Sequence, residues 1–112
     1  MNTTFSDPAE LLRRASSSDR FDAELAAQAI AACLEQGDTT TLVAWFEEAL
    51  AADIADALDR LDQAQLTAAL PLIPAEEQAR VFGYLPLERQ TQLVVGMSQA
   101  AVARLLGRMS SD

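Results

Sequence analysis

Histidine and lysine are missing from this sequence, and cysteine, tryptophan and tyrosine occur once each. Without histidine there is no His-based catalytic triad and no imidazole metal ligand, and a single cysteine rules out an internal disulfide. Carboxylates are the only plentiful reactive groups, so neither an enzyme nor a small-molecule substrate is expected. Basic charge is scarce too: 8 basic residues against 17 acidic ones leave a net charge of −9 and a pI near 4.3. The basic residues are all arginines, scattered from Arg13 to Arg108 without a cluster. A surface of that sign repels phosphate backbones, which argues against nucleic acid and for cations or basic surfaces as partners. Long apolar runs are also lacking. The longest charge-free stretch, Gln90 to Ala103, is too short and too rich in Gln, Thr and Ser to cross a bilayer. Met1 to Arg14 carries Asp7, Pro8 and Glu10 and has no basic lead before an apolar run, so it does not read as a signal peptide. A soluble chain in a reducing compartment is expected.

What the chain does have is apolar content, 50% of 112 residues, with 22% charged. That is the balance of one folded domain rather than a disordered polyanion. Its second half repeats every twelve residues. Leu61, Ile73, Leu85, Met97 and Met109 form one apolar column; Leu58, Leu70, Phe82, Val94 and Leu106 a second; Ala57, Ala69, Val81, Leu93 and Leu105 a third. The residues after the first column, Asp62, Pro74, Pro86, Ser98 and Ser110, start or break helices. Each unit therefore reads as a short helix ending at a turn. Asp62 with Gln65 has the pattern of a capping box, and so have Asp7, Pro8 and Glu10. Gly37 supplies a left-handed helix stop, Asp38 caps the next helix, and Pro71 cuts short the unit containing Leu66.

These signals predict helices at 8–16, 22–36, 39–50, 52–61, 63–70, 75–84, 87–96 and 99–109, and no strands. Helices of eight to ten residues are about 12 to 15 Å long and unstable alone in water. Stacked on neighbours they make an all-α solenoid, or superhelix, that displays surface rather than performing reactions. In the first half, Phe21, Leu25, Ala29 and Cys33 share one side of the second helix with Ile30 and Leu34 beside them. Leu42, Trp45, Phe46, Ala49 and Leu50 make the stripe of the third. Cys33 reads as a buried thiol, and Trp45 as either a core anchor or a ligand-stacking ring. Ser16, Ser17, Ser18 and Asp19 form a hinge or loop signal, dividing an N-terminal helix and hinge (1–20), free to move, from the repeat-bearing domain (21–112).

Asp53, Asp56 and Asp59 recur at a spacing of three and form a slanting acidic ridge opposite Ala57, Leu58 and Leu61. A merely solvated helix face explains the ridge, although divalent cations could sit there, and Arg60 lies among the acids. Glu47 with Glu48, and Glu76 with Glu77, point about 100° apart and make no acid/base couple. Gly83, Gly96 and Gly107 are isolated and form no phosphate loop.

Leu34-Glu35-Gln36-Gly37-Asp38-Thr39, then Ala52 to Leu58, then the units closing Ile73-Pro74, Leu85-Pro86, Met97-Ser98 and Met109-Ser110 resemble the N-terminal cytoplasmic domain of the MgtE magnesium transporter family, over roughly residues 25 to 112. The resemblance implies a right-handed superhelix of short helices. In the family it precedes a pair of CBS domains, a plug helix and a homodimeric channel, on the cytoplasmic side of the inner membrane. It also implies that Mg2+ bridges acidic groups of this domain to the CBS pair and holds the pore shut. Position by position, Asp112 matches the first of two bridging acids, the second falling beyond the chain. A further acidic position is matched by Arg80, which removes one ligand. The end at Ser110-Ser111-Asp112, in mid-repeat, is expected to be that of a fragment binding Mg2+ weakly by itself. A competing reading, a helical-repeat adaptor that docks a basic segment on its acidic face, needs no such continuation. CBS domains and apolar spans in the coding sequence beyond Asp112 separate the two.

Overall fold

The computed structural model describes residues 7–17, 20–96 and 99–110. Among the described residues eight helices succeed one another: α1 Pro8–Ser17, α2 Ala23–Gln36, α3 Thr39–Glu48, α4 Ala51–Leu58, α5 Gln63–Ala69, α6 Ala75–Tyr84, α7 Leu87–Gly96 and α8 Gln99–Ser110. One 3-10 turn, Leu70–Leu72, extends α5 and contains Pro71. The described residues include no strand, and the chain is all-α.

Local chemistry sets the boundaries. The Asp22 carboxylate accepts from the Leu25 N–H at 3.0 Å and opens α2. At the other end Gly37 takes φ +73°, a conformation that needs no Cβ penalty only in glycine. There the Gly37 N–H donates to the Leu34 carbonyl at 3.3 Å and the Asp38 N–H to the Cys33 carbonyl at 2.9 Å, the two bonds of a Schellman stop. Asp38 then caps α3 through the Thr41 N–H, 3.2 Å. Asp62 and Gln65 form the expected capping box, with bonds of 2.8 and 3.0 Å. The units opening at Pro74 and Pro86 have no such carboxylate and use another device. Gln78 and Gln90, twelve apart, donate from Nε2 to the carbonyls five residues earlier, Ile73 at 2.9 Å and Leu85 at 3.0 Å. Orphan carbonyls at successive turns are thereby satisfied by the same repeat position.

The repeat columns are the core. Leu61, Ile73 and Leu85 are buried in the turns, and Leu58, Leu70, Phe82, Ala57, Ala69, Val81 and Leu93 are buried along the helices. Val94 is half-buried; Met97 and the side chains of Leu105, Leu106 and Met109 lie outside the described residues. Trp45 and Phe46, one period before Ala57 and Leu58, are also buried. From α4 onward helices pack on the element two along, α4 on α6, α6 on α8 and α5 on α7, while α2 packs on α1, α3, α4 and α5. The result is a body of 47 × 27 × 24 Å. α2, the longest helix of the first half, buries Ala26, Ala27 and Ala29, small residues that let α1, α3, α4 and α5 approach it. α1 packs on α2 with Leu12 and Ala15 in the core.

Three expectations need correction. Leu50 is 70% exposed and outside the α3 stripe, because α3 stops at Glu48 and Leu50, extended, precedes α4. α4 ends at Leu58 rather than at 61: the N–H groups of Arg60 and Leu61 bond three residues back, at 3.1 and 3.0 Å, tightening the chain so that Leu61 turns inward. Ser16 and Ser17 are not loop but the last residues of α1, while Ser18 and Asp19 lie outside the described residues.

Since Leu58 is wholly buried where α4 meets its neighbours, Leu58→Ala should lower unfolding free energy by about 2–5 kcal/mol. Urea denaturation followed by far-UV circular dichroism checks this, and an unchanged midpoint would contradict the stacking.

Candidate functional site

The acidic ridge starts on α4 and runs into the turn behind it. Asp53 lies in the first turn, half-buried; Asp56 is exposed one turn on; Asp59 follows the last helical residue. The three meet different neighbours. Asp56 holds Arg60 at 2.8 Å, and Arg60 reaches on to Glu24 of α2 at 3.5 Å. Asp59 meets Arg89 of α7 at 3.3 Å, and the same guanidinium donates to the carbonyl of Asp59 at 2.9 Å and to that of Leu61. Burial, with the Asp56 charge adding to it, pushes the Asp53 carboxyl above its ordinary value.

A shallow groove opens between the N-terminal end of α2 and the length of α4, lined by Arg20, Phe21, Asp22, Glu24, Asp53, Asp56 and Arg60. The ridge and this groove share Asp53 and Asp56, but Asp59 turns toward α7. Among the described residues, no three of the carboxylates and the thiol come close enough together to hold a metal ion. Asp112 lies outside the described residues. Arg80 is exposed on α6, 3.7 Å from Glu77.

Two tertiary arginine contacts, Arg89 with Asp59 and Arg60 with Glu24, have no local sequence signature, since the partners lie far apart in the chain. Arg89 is the weightier. Its side chain is 20% exposed, and it satisfies backbone carbonyls where α4 ends while tying that turn to α7. The Arg60 pairs are solvent-exposed, and such pairs contribute about 1 kcal/mol at most.

Trp45 serves the core. Its indole N–H donates to the Ser16 hydroxyl at 3.1 Å, and its ring stacks on Phe21 with centroids 6.1 Å apart. A ligand would find both the ring face and the polar handle occupied. Cys33 is fully buried, and burial, with lesser contributions from the Asp38 and Asp7 charges, pushes its thiol up to about 11.

Short stacked helices and a net charge of −9 define an acidic, all-α domain. Residues 49–112 match the family model of the MgtE intracellular N domain, more than half of the chain, and the chain belongs to that family. This is the intracellular helical part of a magnesium transporter, not a known enzyme family. The match begins at the turn before α4, so α1, α2 and α3, with the Leu34–Thr39 segment, fall outside it. No curated protein matches the chain. No solved structure matches it either. Among the described residues, no helix is long and apolar enough to cross a membrane.

Arg89→Ala should lower stability by about 1–3 kcal/mol, because carbonyls at the α4 turn lose a charged donor. Arg89→Lys should recover only part of it, since an ammonium does not reproduce the fork. Paired urea titrations measure both, and full rescue by Lys would show that charge alone matters. Cys33 should resist thiol reagents at pH 8 until the protein unfolds. Its folded pKa lies above the ordinary 9.0, so the folded state holds the proton more tightly. The contribution to stability is therefore complete below about pH 9 and is lost as pH rises through about 11. Comparing the melting curves of the native chain and Cys33→Ala across that range detects the loss.

Proposed function

We propose that this chain is the regulatory domain of a magnesium transporter, sensing intracellular Mg2+ by reversible docking onto a CBS domain pair of the same polypeptide. The family match of residues 49–112 carries this reading. The stack is taken as a right-handed superhelix whose exposed carboxylates, at a net charge of −9, confront an acidic partner surface. Two such surfaces repel until divalent ions lie between them. Mg2+ keeps most of its water and needs only one or two carboxylates from each side, so an interface can bind it where neither half does so firmly. Asp112, and more weakly Asp53, Asp56 and Asp59, are the candidate donors. Arg60 and Arg89 compete for Asp56 and Asp59, so the isolated chain should bind the ion feebly. An ion that binds only the docked assembly stabilises it by RT ln(1+[L]/Kd), about 2.7 kcal/mol at a hundredfold excess over Kd. That differential shifts the population toward the docked, pore-closing state.

The test is a Mg2+ titration of the thermal midpoint with and without the CBS pair. A rise confined to the mixture is expected, smaller for Asp112→Asn than for the native chain. No rise in either sample refutes the sensor. Docking that ignores Mg2+ and weakens with salt would favour instead the adaptor that holds a basic segment.

A further inference from the structure

We propose that Ser16 is a phosphorylation site, read by a serine/threonine kinase through Arg13 and Arg14, and that the added phosphoryl group undocks the end of α1 from Trp45. The run Arg13-Arg14-Ala15-Ser16 places two guanidinium groups three and two residues before a hydroxyl. Arg13, Arg14 and Ser16 are all exposed. Arg60, Arg80 and Arg89 each meet a carboxylate, whereas neither Arg13 nor Arg14 forms an ion pair among the described residues. The dipole of α1 accounts for one basic residue in its last turn, Arg14, and leaves Arg13 unexplained in a chain with 17 acids. Two adjacent guanidinium groups beside a hydroxyl suit the carboxylates of an enzyme that chooses its substrates by charge pattern.

The acceptor stands where a charge has leverage. Its Oγ receives the indole N–H of Trp45 at 3.1 Å, and beside it lies a shallow hollow of about 410 Å³ lined by Leu12, Arg13, Ser16, Ser17, Trp45 and Glu48. A phosphoryl group has room there but meets an adverse field. It would carry about −1.5 to −2 charges at pH 7, at the C-terminal end of a helix, with the Glu48 carboxylate on the same hollow. Arg13 offsets only part of this, because exposed ion pairs are weak. α1 is 10 residues long and is held on α2 and α3 by Leu12 and Ala15, with the Asp22 N–H donating to the Ala15 carbonyl at 3.0 Å. So short a segment opens at less cost than the whole domain. Its last turn can therefore unwind into a kinase, and once modified it docks less well.

In the transfer the γ-phosphorus of ATP exchanges its bond to the β–γ bridging oxygen for one to Ser16 Oγ. The hydroxyl proton passes to the kinase's catalytic aspartate, and ADP leaves. α1 precedes residues 49–112, so the modified helix lies outside the part of the chain that the family model matches. The proposal accordingly stands or falls apart from Mg2+ sensing.

Incubating the native chain with MgATP and the catalytic subunit of cyclic-AMP-dependent protein kinase, which selects paired arginines, and locating the product by peptide mass spectrometry tests the site. One phosphoryl group on Ser16 is expected. Arg13→Ala and Arg14→Ala, both at exposed positions, should each slow the transfer about tenfold or more while leaving the circular dichroism spectrum unchanged. Trp45 is the sole tryptophan, so its fluorescence reports the undocking directly. Phosphorylation should move its emission to longer wavelength and expose it to quenching by acrylamide. Ser16→Glu should act in the same direction, and Ser16→Ala, which loses the hydrogen bond without adding charge, should shift the emission less. The proposal is overturned by a native chain left unmodified, by modification at Ser17 in place of Ser16, or by a phosphorylated Ser16 that leaves the Trp45 emission unchanged.

Discussion

α4 and α5 are 8 and 7 residues long, and α6 and α7 are 10 each. Helices of this length have too few internal hydrogen bonds to repay nucleation in water. Each exists because its apolar stripe is covered by helices that are not its neighbours in sequence, and the consequences run through the whole molecule. The turns cannot be slack, since a helix that starts one residue late presents the wrong stripe. Turn chemistry is accordingly dense: a Schellman stop at Gly37, a capping box at Asp62, and glutamine amides on the Ile73 and Leu85 carbonyls. Leu61, Ile73 and Leu85, buried within the turns, let each reversal of the chain contribute to the core rather than interrupt it.

Such a fold was legible wherever the information is local or periodic. The boundaries of α6 and α7 fall where Pro74 and Pro86 place them, and every column position whose side chain is described is buried or half-buried. Structure departs from local pattern where tertiary packing overrides it. Leu50 continues an apolar run but stands at a reversal, and α4 closes early because Leu61 gains more by turning inward than by extending the helix. Ser16 belongs to a serine cluster with the composition of a loop, yet its hydroxyl receives the Trp45 indole and it remains helical. The candidate site was less legible than the fold. A spacing of three places Asp53, Asp56 and Asp59 on one ridge; it does not say that Arg89, far along the chain, reaches back to Asp59.

The few arginines matter because there are so few. Arg60 joins α4 to α2 through Glu24, and Arg89 joins the turn after α4 to α7. Both act on the segment that carries the acidic ridge, so the ridge is not an open row of carboxylates but a set already competed for by guanidinium groups. A hydrated divalent ion arriving there must displace an arginine or make do with Asp53, whose carboxyl is already disfavoured as an anion by burial and by the Asp56 charge. Arginine competition and the disfavoured Asp53 anion both oppose strong binding of a divalent ion by the ridge alone.

Charge is also partitioned along the chain in a way the repeat does not require. The same twelve-residue unit carries Glu76 and Glu77 at the start of α6 and nothing charged through α5. Columns of the core would be equally well served by either choice, since the differences lie outside the buried columns. Neutral α5 and acidic α4 therefore leave the shared core unchanged and differ only in the field each exposes: carboxylates on an outward face repel a like-charged neighbour, whereas an uncharged face sets no electrostatic barrier to contact.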